Sequence, residues 1–167
     1  FRSAMKGIIH IRIDDRLIHG QVATRWSTGL GVSRIMVAND EVAADEMQKG
    51  ILRMVAPPGI ATSIISKEKA ATNILADKYA AQKVLMVLKN PIDALDLMEK
   101  GLEIKEINVG NMAKRDETVQ IKKSISITKE EYDAFKELMN RGVKLTARMV
   151  PDEADVLLDE FLKKASF

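Results

Sequence analysis

The stretch Ile8-Ile9-His10-Ile11-Arg12-Ile13-Asp14-Asp15-Arg16-Leu17-Ile18-His19-Gly20-Gln21-Val22 begins as a run rich in β-branched residues and ends as the opening of a helix. Residues 8–13 have the short, mostly apolar character of a buried strand. Val22, Trp26 and Leu30 then recur at helical spacing. A strand that passes through a short polar loop directly into a helix is the first half of a βαβ unit, and this decides the fold class.

The same alternation continues outward from that unit. Further strands are expected over residues 34–38, 60–65, 84–88 and 106–109. Ala44, Met47, Ile51 and Val55 mark one face of a helix that Pro57-Pro58-Gly59 stops, and the nine methionines spread through the apolar faces read as gap-filling core. Asn90-Pro91 is a cap followed by proline at the first helical position, and Gly101 closes the helix it opens. Thr128-Lys129-Glu130-Glu131 is a capping box, with Ile127 placed to staple onto Tyr132 and Gly142 to terminate. A last helix is expected to begin near Pro151-Asp152. Repetition of strand, helix, strand implies right-handed crossovers. The expected fold is α/β: an open, doubly wound, mostly parallel sheet of about seven strands with helices on both faces. Residues 118–127 are the exception. Val119, Ile121, Ile125 and Ile127 alternate with Gln120, Lys122, Ser124 and Ser126, as in a strand with one wet face that pairs antiparallel or extends one edge. An edge of that kind leaves self-association into a homo-oligomer open.

At 167 residues the chain is long enough for one domain, expected over residues 5–167, while Phe1 to Ala4 ahead of Met5 read as a cloning scar. The 46% hydrophobic and 30% charged content is that of a globular protein, not a disordered or collagen-like one. Cysteine is absent, which excludes disulfides, thiolate metal sites and a cysteine nucleophile. No apolar stretch approaches the roughly 20 residues a membrane span requires, and no signal-peptide run is seen, so a cytoplasmic home is expected. With 26 basic and 24 acidic residues, the net charge of +2 is too balanced for an electrostatic nucleic-acid binder. Two histidines without paired spacing make a poor ligand set, so no metal and no cofactor is expected.

In an open parallel sheet, ligands bind beyond the carboxyl ends of the strands. Of the loops there, only the first is dense in reactive groups. His19 stands where a helix starts, and unpaired backbone N–H groups with a partial positive charge attract an anion there. Gly20 lets backbone approach such an anion closely, and Arg16 adds a planar cationic fork suited to phosphate oxygens. Histidine is nucleophilic near neutral pH and takes a phosphoryl group on a ring nitrogen, with Asp14 available to fix its tautomer or hold Arg16. His10, alternating with apolar neighbours along the strand, reads as structural, and Trp26 reads as core. Leu17 and Ile18 suit either a partner contact around the ring or packing beneath the loop. Lys114-Arg115, beside the end of the fifth strand, suits solvent, an acidic partner or a phosphate.

The run from Arg12 to Val22 resembles the active-site signature of the IIB subunit in the mannose/fructose/sorbose family of the bacterial sugar phosphotransferase system. The resemblance extends from Met5 over essentially the whole chain, including Trp26, Asn39-Asp40, Ala56-Pro57-Pro58-Gly59 and Val109-Gly110-Asn111-Met112. It implies a histidine phosphocarrier in which Nδ1 of His19 accepts a phosphoryl group from a phosphohistidine on the IIA partner. The group then passes to a sugar imported through the membrane subunits IIC and IID. Arg16 and Asp14 are implied to support the phosphoryl group and the loop, with Gly20, Gln21 and Asn111 in the phosphate-binding shell. A location at the cytoplasmic face of the transporter, no cofactor, and a sugar such as mannose, fructose, sorbose or N-acetylgalactosamine go with it.

Two other classes compete. A receiver domain phosphorylated on aspartate would use the Asp14-Asp15 pair, but needs an aspartate where Ser66 follows the third strand. A sugar-phosphate isomerase or lyase would use His19 as acid or base with Arg16 as phosphate clamp.

Overall fold

In the computed structural model, which describes residues 5–167, strand β1 (Ile8–Asp14) is the middle strand of a seven-stranded sheet. It is followed by helix α1 (Gly20–Leu30), then β2 (Arg34–Ala38), α2 (Asp40–Ala43), α3 (Glu46–Val55), β3 (Ala61–Ile65) and α4 (Lys67–Leu75). The chain continues through β4 (Val84–Leu88), α5 (Pro91–Glu99), β5 (Glu106–Asn111), β6 (Val119–Lys122) and β7 (Ile125–Ile127). It ends with α6 (Lys129–Asn140), β8 (Lys144–Ala147), β9 (Val156–Leu157) and α7 (Asp159–Leu162). The sheet order is β3-β2-β4-β1-β5-β8-β9, parallel throughout except for β9 against β8. Phe1 to Ala4, read as a cloning scar, lie outside the described residues.

Alternation along the strands divides the core in two. Ile11, Ile13, Met86 and Leu88 point to the face covered by α4, α5 and α6, where Ile74, Leu97 and Phe135 are fully buried. Ile35, Val37, Leu85 and Val87 point to the other, covered by Trp26 of α1 and Leu52 of α3. Every residue of β4 is buried, as expected of a parallel strand covered on both sides. The helix punctuation is as read: the Thr128 capping box is complete, Asn90 caps α5 ahead of Pro91, and Gly101 and Gly142 take positive φ just beyond their helices.

Four expectations are corrected. Residues 118–127 are not one strand but a separate antiparallel hairpin, β6 with β7, attached beside β5 through a bridge from Met112 to Ile125 and through Ser124 Oγ, which donates to the Gly110 carbonyl. No helix starts at Pro151-Asp152, because Arg12 and Trp26 donate to the Met149 carbonyl and hold that segment as a turn. The expected helix through Ala44 is two, since Asp45 interrupts it and caps α3 by accepting from the Met47 and Gln48 N–H groups. The methionines of α3, expected as core filling, are turned outward with the rest of its apolar face: Met47 is 77% exposed, Ile51 54% and Val55 41%, and Leu52 is the buried side chain.

The second face of β1 is polar where its neighbours are apolar. It carries His10, Arg12 and Asp14, and α1 answers with Trp26. The His10 ring stacks on the indole at 4.8 Å between centroids, while Arg12 and Arg148 approach the same ring at 5.0 and 5.2 Å. The indole N–H donates to the Met149 carbonyl at 2.9 Å. Trp26 is thus core, and His10 is packing against it. Burial, reinforced by the charges of Arg12 and Arg148, lowers the His10 pKa to about 4.

The unfolded chain, with His10 near its ordinary value, takes up a proton that the folded chain refuses. Stability from this group is complete above pH 6.5 and is lost as pH falls toward about 4, by about 3 kcal/mol in total. Urea denaturation at pH 7 and pH 4.5 is expected to show a smaller acid loss in His10→Phe, which keeps the stack and cannot protonate. Equal losses in the two proteins would contradict a neutral, buried His10.

Candidate phosphohistidine site

The first βα loop is built on Asp14. Its backbone carbonyl accepts from Leu17 N–H at 2.9 Å, and its Oδ1 accepts from the Arg16 N–H at 3.0 Å, closing a tight turn at the carboxyl end of β1. Leu17 takes φ +64°, a left-handed conformation that costs a branched side chain roughly 1 kcal/mol or more. Burial of Leu17 and Ile18 beneath the loop offsets that cost. Of the two roles open to this pair, the structure therefore gives packing. The turn leaves His19 exposed at the N-cap of α1, in extended backbone conformation.

The helix start beneath the ring is bare. The His19 side chain makes no cap hydrogen bond, and the first turn of α1 contains no acidic residue. The leading N–H groups, from Gly20 onward, and the positive end of the helix dipole are therefore uncompensated. A Cβ built on Gly20 meets nothing within 4 Å, so open space lies above the helix start. Gln21 is exposed beside it.

Arg16 lies across the Asp14 carboxylate in a two-pronged contact, Nε to Oδ1 at 3.0 Å and Nη2 to Oδ2 at 2.8 Å. Those bonds raise its pKa against the opposing effect of burial. One edge of the guanidinium is thereby committed, while Nη1 has no hydrogen-bond partner among the described residues. Behind Asp14 stands Arg12, 2% exposed. Its guanidinium donates to Asn108 Oδ1 at 2.7 Å, to the Arg148 and Met149 carbonyls at 3.0 and 2.8 Å, and to Asp14 Oδ2 at 3.3 Å. Burial lowers the Arg12 pKa to about 10, which still leaves it charged at neutral pH. The guanidinium fits because residue 110 is glycine: a Cβ there would lie 2.0 Å from Arg12 Nη2. Met149 completes the wall, with its sulfur 3.6 Å from Arg16 Nη2.

Asp15 ties the loop to β5. Its carboxylate accepts from Asn111 Nδ2 at 2.9 Å and from the Ala113 N–H at 2.7 Å, so the amide nitrogen of Asn111 is engaged within the protein. Arg115 is engaged too, donating to both oxygens of Glu131 and to the Ser126 carbonyl. Polar residues after β2, β3 and β4 bind one another: Lys67 Nζ reaches Asp93 at 3.1 Å and Asp96 at 2.6 Å, and Asn39 donates to Asp93. Burial raises the Asp93 pKa, with Lys67 and Asn39 opposing. Ser66, at the position a receiver would need for aspartate, caps α4 by accepting from Lys69 N–H.

Arg12, Asn108, Gly110 and Met149 are the site residues that motif reading left unassigned. The signal for Arg12 was present, since an arginine sharing a strand face with Asp14 in a fully covered sheet requires buried partners.

A family model described as the PTS system sorbose subfamily IIB component matches residues 8–167. The mannose-specific EIIAB component of Escherichia coli (strain K12) is 41% identical over 153 residues, which are 92% of this chain and 47% of that protein. The chain thus spans about half the length of the EIIAB proteins it matches. The fructose-specific EIIB component of Bacillus subtilis (strain 168) is 39% identical over 150 residues, 90% of this chain and 92% of that protein. Among solved structures, the IIBSor domain of the sorbose permease from Klebsiella pneumoniae superposes with a TM-score of 0.89 at 38% identity, covering 96% of this chain and 98% of that one. The match covers nearly the whole of the described chain, and the chain belongs to the sorbose-subfamily IIB components of the phosphotransferase system.

Proposed function

We propose that the chain is a histidine phosphocarrier, with His19 as the residue that accepts and hands on the phosphoryl group. The observation that carries this reading is the exposed imidazole at the uncapped start of α1, beside an arginine whose Nη1 is unengaged. In the first step the lone pair of His19 Nδ1 attacks phosphorus on a phosphohistidine of the IIA partner. The donor P–N bond breaks, and the donor imidazole keeps the electron pair. In the second, a sugar hydroxyl presented by the membrane subunits IIC and IID attacks the same phosphorus, the bond to His19 breaks, and the hydroxyl proton is released. The reaction belongs to the cytoplasmic face of the transporter and needs neither metal nor cofactor.

The protein's contribution is positioning and charge stabilisation, which is most of what phosphoryl transfer asks of it. The N–H groups at Gly20 and Gln21 face the phosphoryl oxygens, and Arg16 Nη1 meets the charge from the side. Asp14 acts through Arg16 and through the turn. Asn111 acts through Asp15, to which its Nδ2 donates, and the second hydrogen on Nδ2 is the donor left for the phosphoryl shell.

Intact-mass spectrometry after incubation with the general phosphotransferase proteins and a cognate IIA is expected to show one added phosphoryl group, acid-labile and base-stable. It should be lost in His19→Ala and kept in His10→Ala. A group that persists without His19, or none from a verified donor, overturns the assignment. Arg16→Lys is expected to slow transfer about tenfold or more, because an ammonium cannot span both Asp14 oxygens while presenting a further donor. Stopped-flow or quenched transfer at parental rate would show that the two-pronged contact is immaterial.

A further inference from the structure

Two guanidinium groups meet at the end of β1, and two side chains bridge them. Asp14 Oδ2 accepts from Arg12 Nη2 at 3.3 Å and from Arg16 Nη2 at 2.8 Å. The Met149 sulfur stands against the same two nitrogens, 3.7 Å from Arg12 Nη2 and 3.6 Å from Arg16 Nη2. One bridge of the pair is thus a carboxylate, and the other is a neutral thioether, a weak acceptor. The main chain of Met149 is held in place, its carbonyl accepting from Arg12 Nη2 at 2.8 Å and Trp26 Nε1 at 2.9 Å, and its N–H donating to Glu153 at 3.3 Å. The charge around the pair does not balance: Arg12 and Arg16 share the one carboxylate of Asp14, which leaves a surplus positive charge. The other carboxylates of the loop and of the Met149 segment are turned to other partners. Asp15 accepts from Asn111 and the Ala113 N–H, and Asp152 is paired with Arg25. Glu153 acts on Arg12 through its charge, but Lys122 at 3.3 Å offsets it.

We infer that Met149 is a positioning residue for phosphoryl transfer: by giving the two arginines a neutral partner in place of a second carboxylate, it keeps their surplus charge for the phosphoryl group and leaves Arg16 held loosely enough to turn toward it. The inference rests on the phosphocarrier reading above. A phosphoryl group brings close to two negative charges, and charge already in place when its oxygens arrive is what stabilises them. A carboxylate at residue 149 would cancel that charge and tie down Nη2 of Arg16, strengthening the loop and weakening transfer. A glutamine or a leucine there would leave the charge in place.

The test compares Met149→Glu with Met149→Gln, its uncharged isostere, and with Met149→Leu, which keeps the volume without an acceptor. Each protein is labelled by phospho-IIA and by phosphoramidate, a small phosphoryl donor that needs no docking, and its thermal midpoint is recorded. Met149→Glu is expected to label about tenfold or more slowly with both donors, and to unfold no lower than the parent. Met149→Gln and Met149→Leu are expected to recover rates within about threefold of the parent. In 31P titrations of the phosphorylated proteins, the phosphoryl group should hold its proton to higher pH in Met149→Glu than in Met149→Gln, by roughly half a unit or more. Equal rates in Met149→Glu and Met149→Gln overturn the inference, because the charge would then be immaterial. So does a Met149→Leu protein as slow as Met149→Glu, which would assign the effect to packing, and so does a loss confined to phospho-IIA, which would assign it to docking. A Met149→Glu protein that unfolds well below Met149→Gln overturns it too, since two guanidinium groups with surplus charge should accommodate a carboxylate. Failure of the parent to label at His19 with either donor is a failure of the phosphocarrier reading and is distinct from all of these.

Discussion

The carboxylate of Asp14 is the constraint on which the site depends. It is 1% exposed at the end of the central strand, and both of its oxygens are occupied. One side receives Arg12 from within the sheet, and the other receives the Arg16 side chain and backbone N–H from the loop. Burying one carboxylate between two guanidinium groups is costly unless every donor and acceptor is satisfied. Here the other Nη donors of Arg12 are taken up by Asn108 and by the carbonyls of Arg148 and Met149. The arrangement forces glycine at residue 110, fixes the segment after β8, and holds Leu17 in a left-handed turn. It converts the end of a strand into a rigid platform for an exposed histidine.

That platform explains why one loop stands apart from its neighbours. The polar residues beyond β2, β3 and β4 are engaged with each other through Asn39, Lys67 and Asp93, and Arg115 is spent on Glu131. At the start of α1, by contrast, the backbone donors, one nitrogen of Arg16 and the His19 ring are uncommitted among the described residues. The contrast is between polar groups that stabilise the fold and polar groups kept available, and the second kind gathers around His19.

Much of this was legible in the residues. Strands buried on both faces read as unbroken apolar runs, and caps such as Asn90 and Thr128 announce themselves. The histidine at a strand's end was visible for the same reason, because Gly20 and the Val22-Trp26-Leu30 spacing mark where the helix begins. What sequence could not supply was direction. The spacing of Met47, Ile51 and Val55 reveals that α3 has an apolar side but not which way it turns. Pro151-Asp152 has the look of a helix start, yet Arg12 and Trp26 claim the Met149 carbonyl from more than a hundred residues away. Lys144 to Ala147 is too short and too polar to declare itself, and it becomes a strand by pairing with β5. The split of residues 118–127 into a hairpin is likewise a matter of pairing, since alternation persists on both sides of the turn at Lys123-Ser124.

The central claim is that a phosphoryl group on His19 is held by the start of α1. The most direct measurement is the 1H–15N spectrum of the protein before and after phosphorylation, with the phosphorus coupling of the histidine nitrogens read on the same sample. The account predicts a phosphorus-coupled Nδ1 on His19, with downfield shifts concentrated at the Gly20, Gln21 and Val22 amides and at the Arg16 side chain. Coupling at another residue would contradict it. So would a phosphorylated His19 whose helix-start amides do not move.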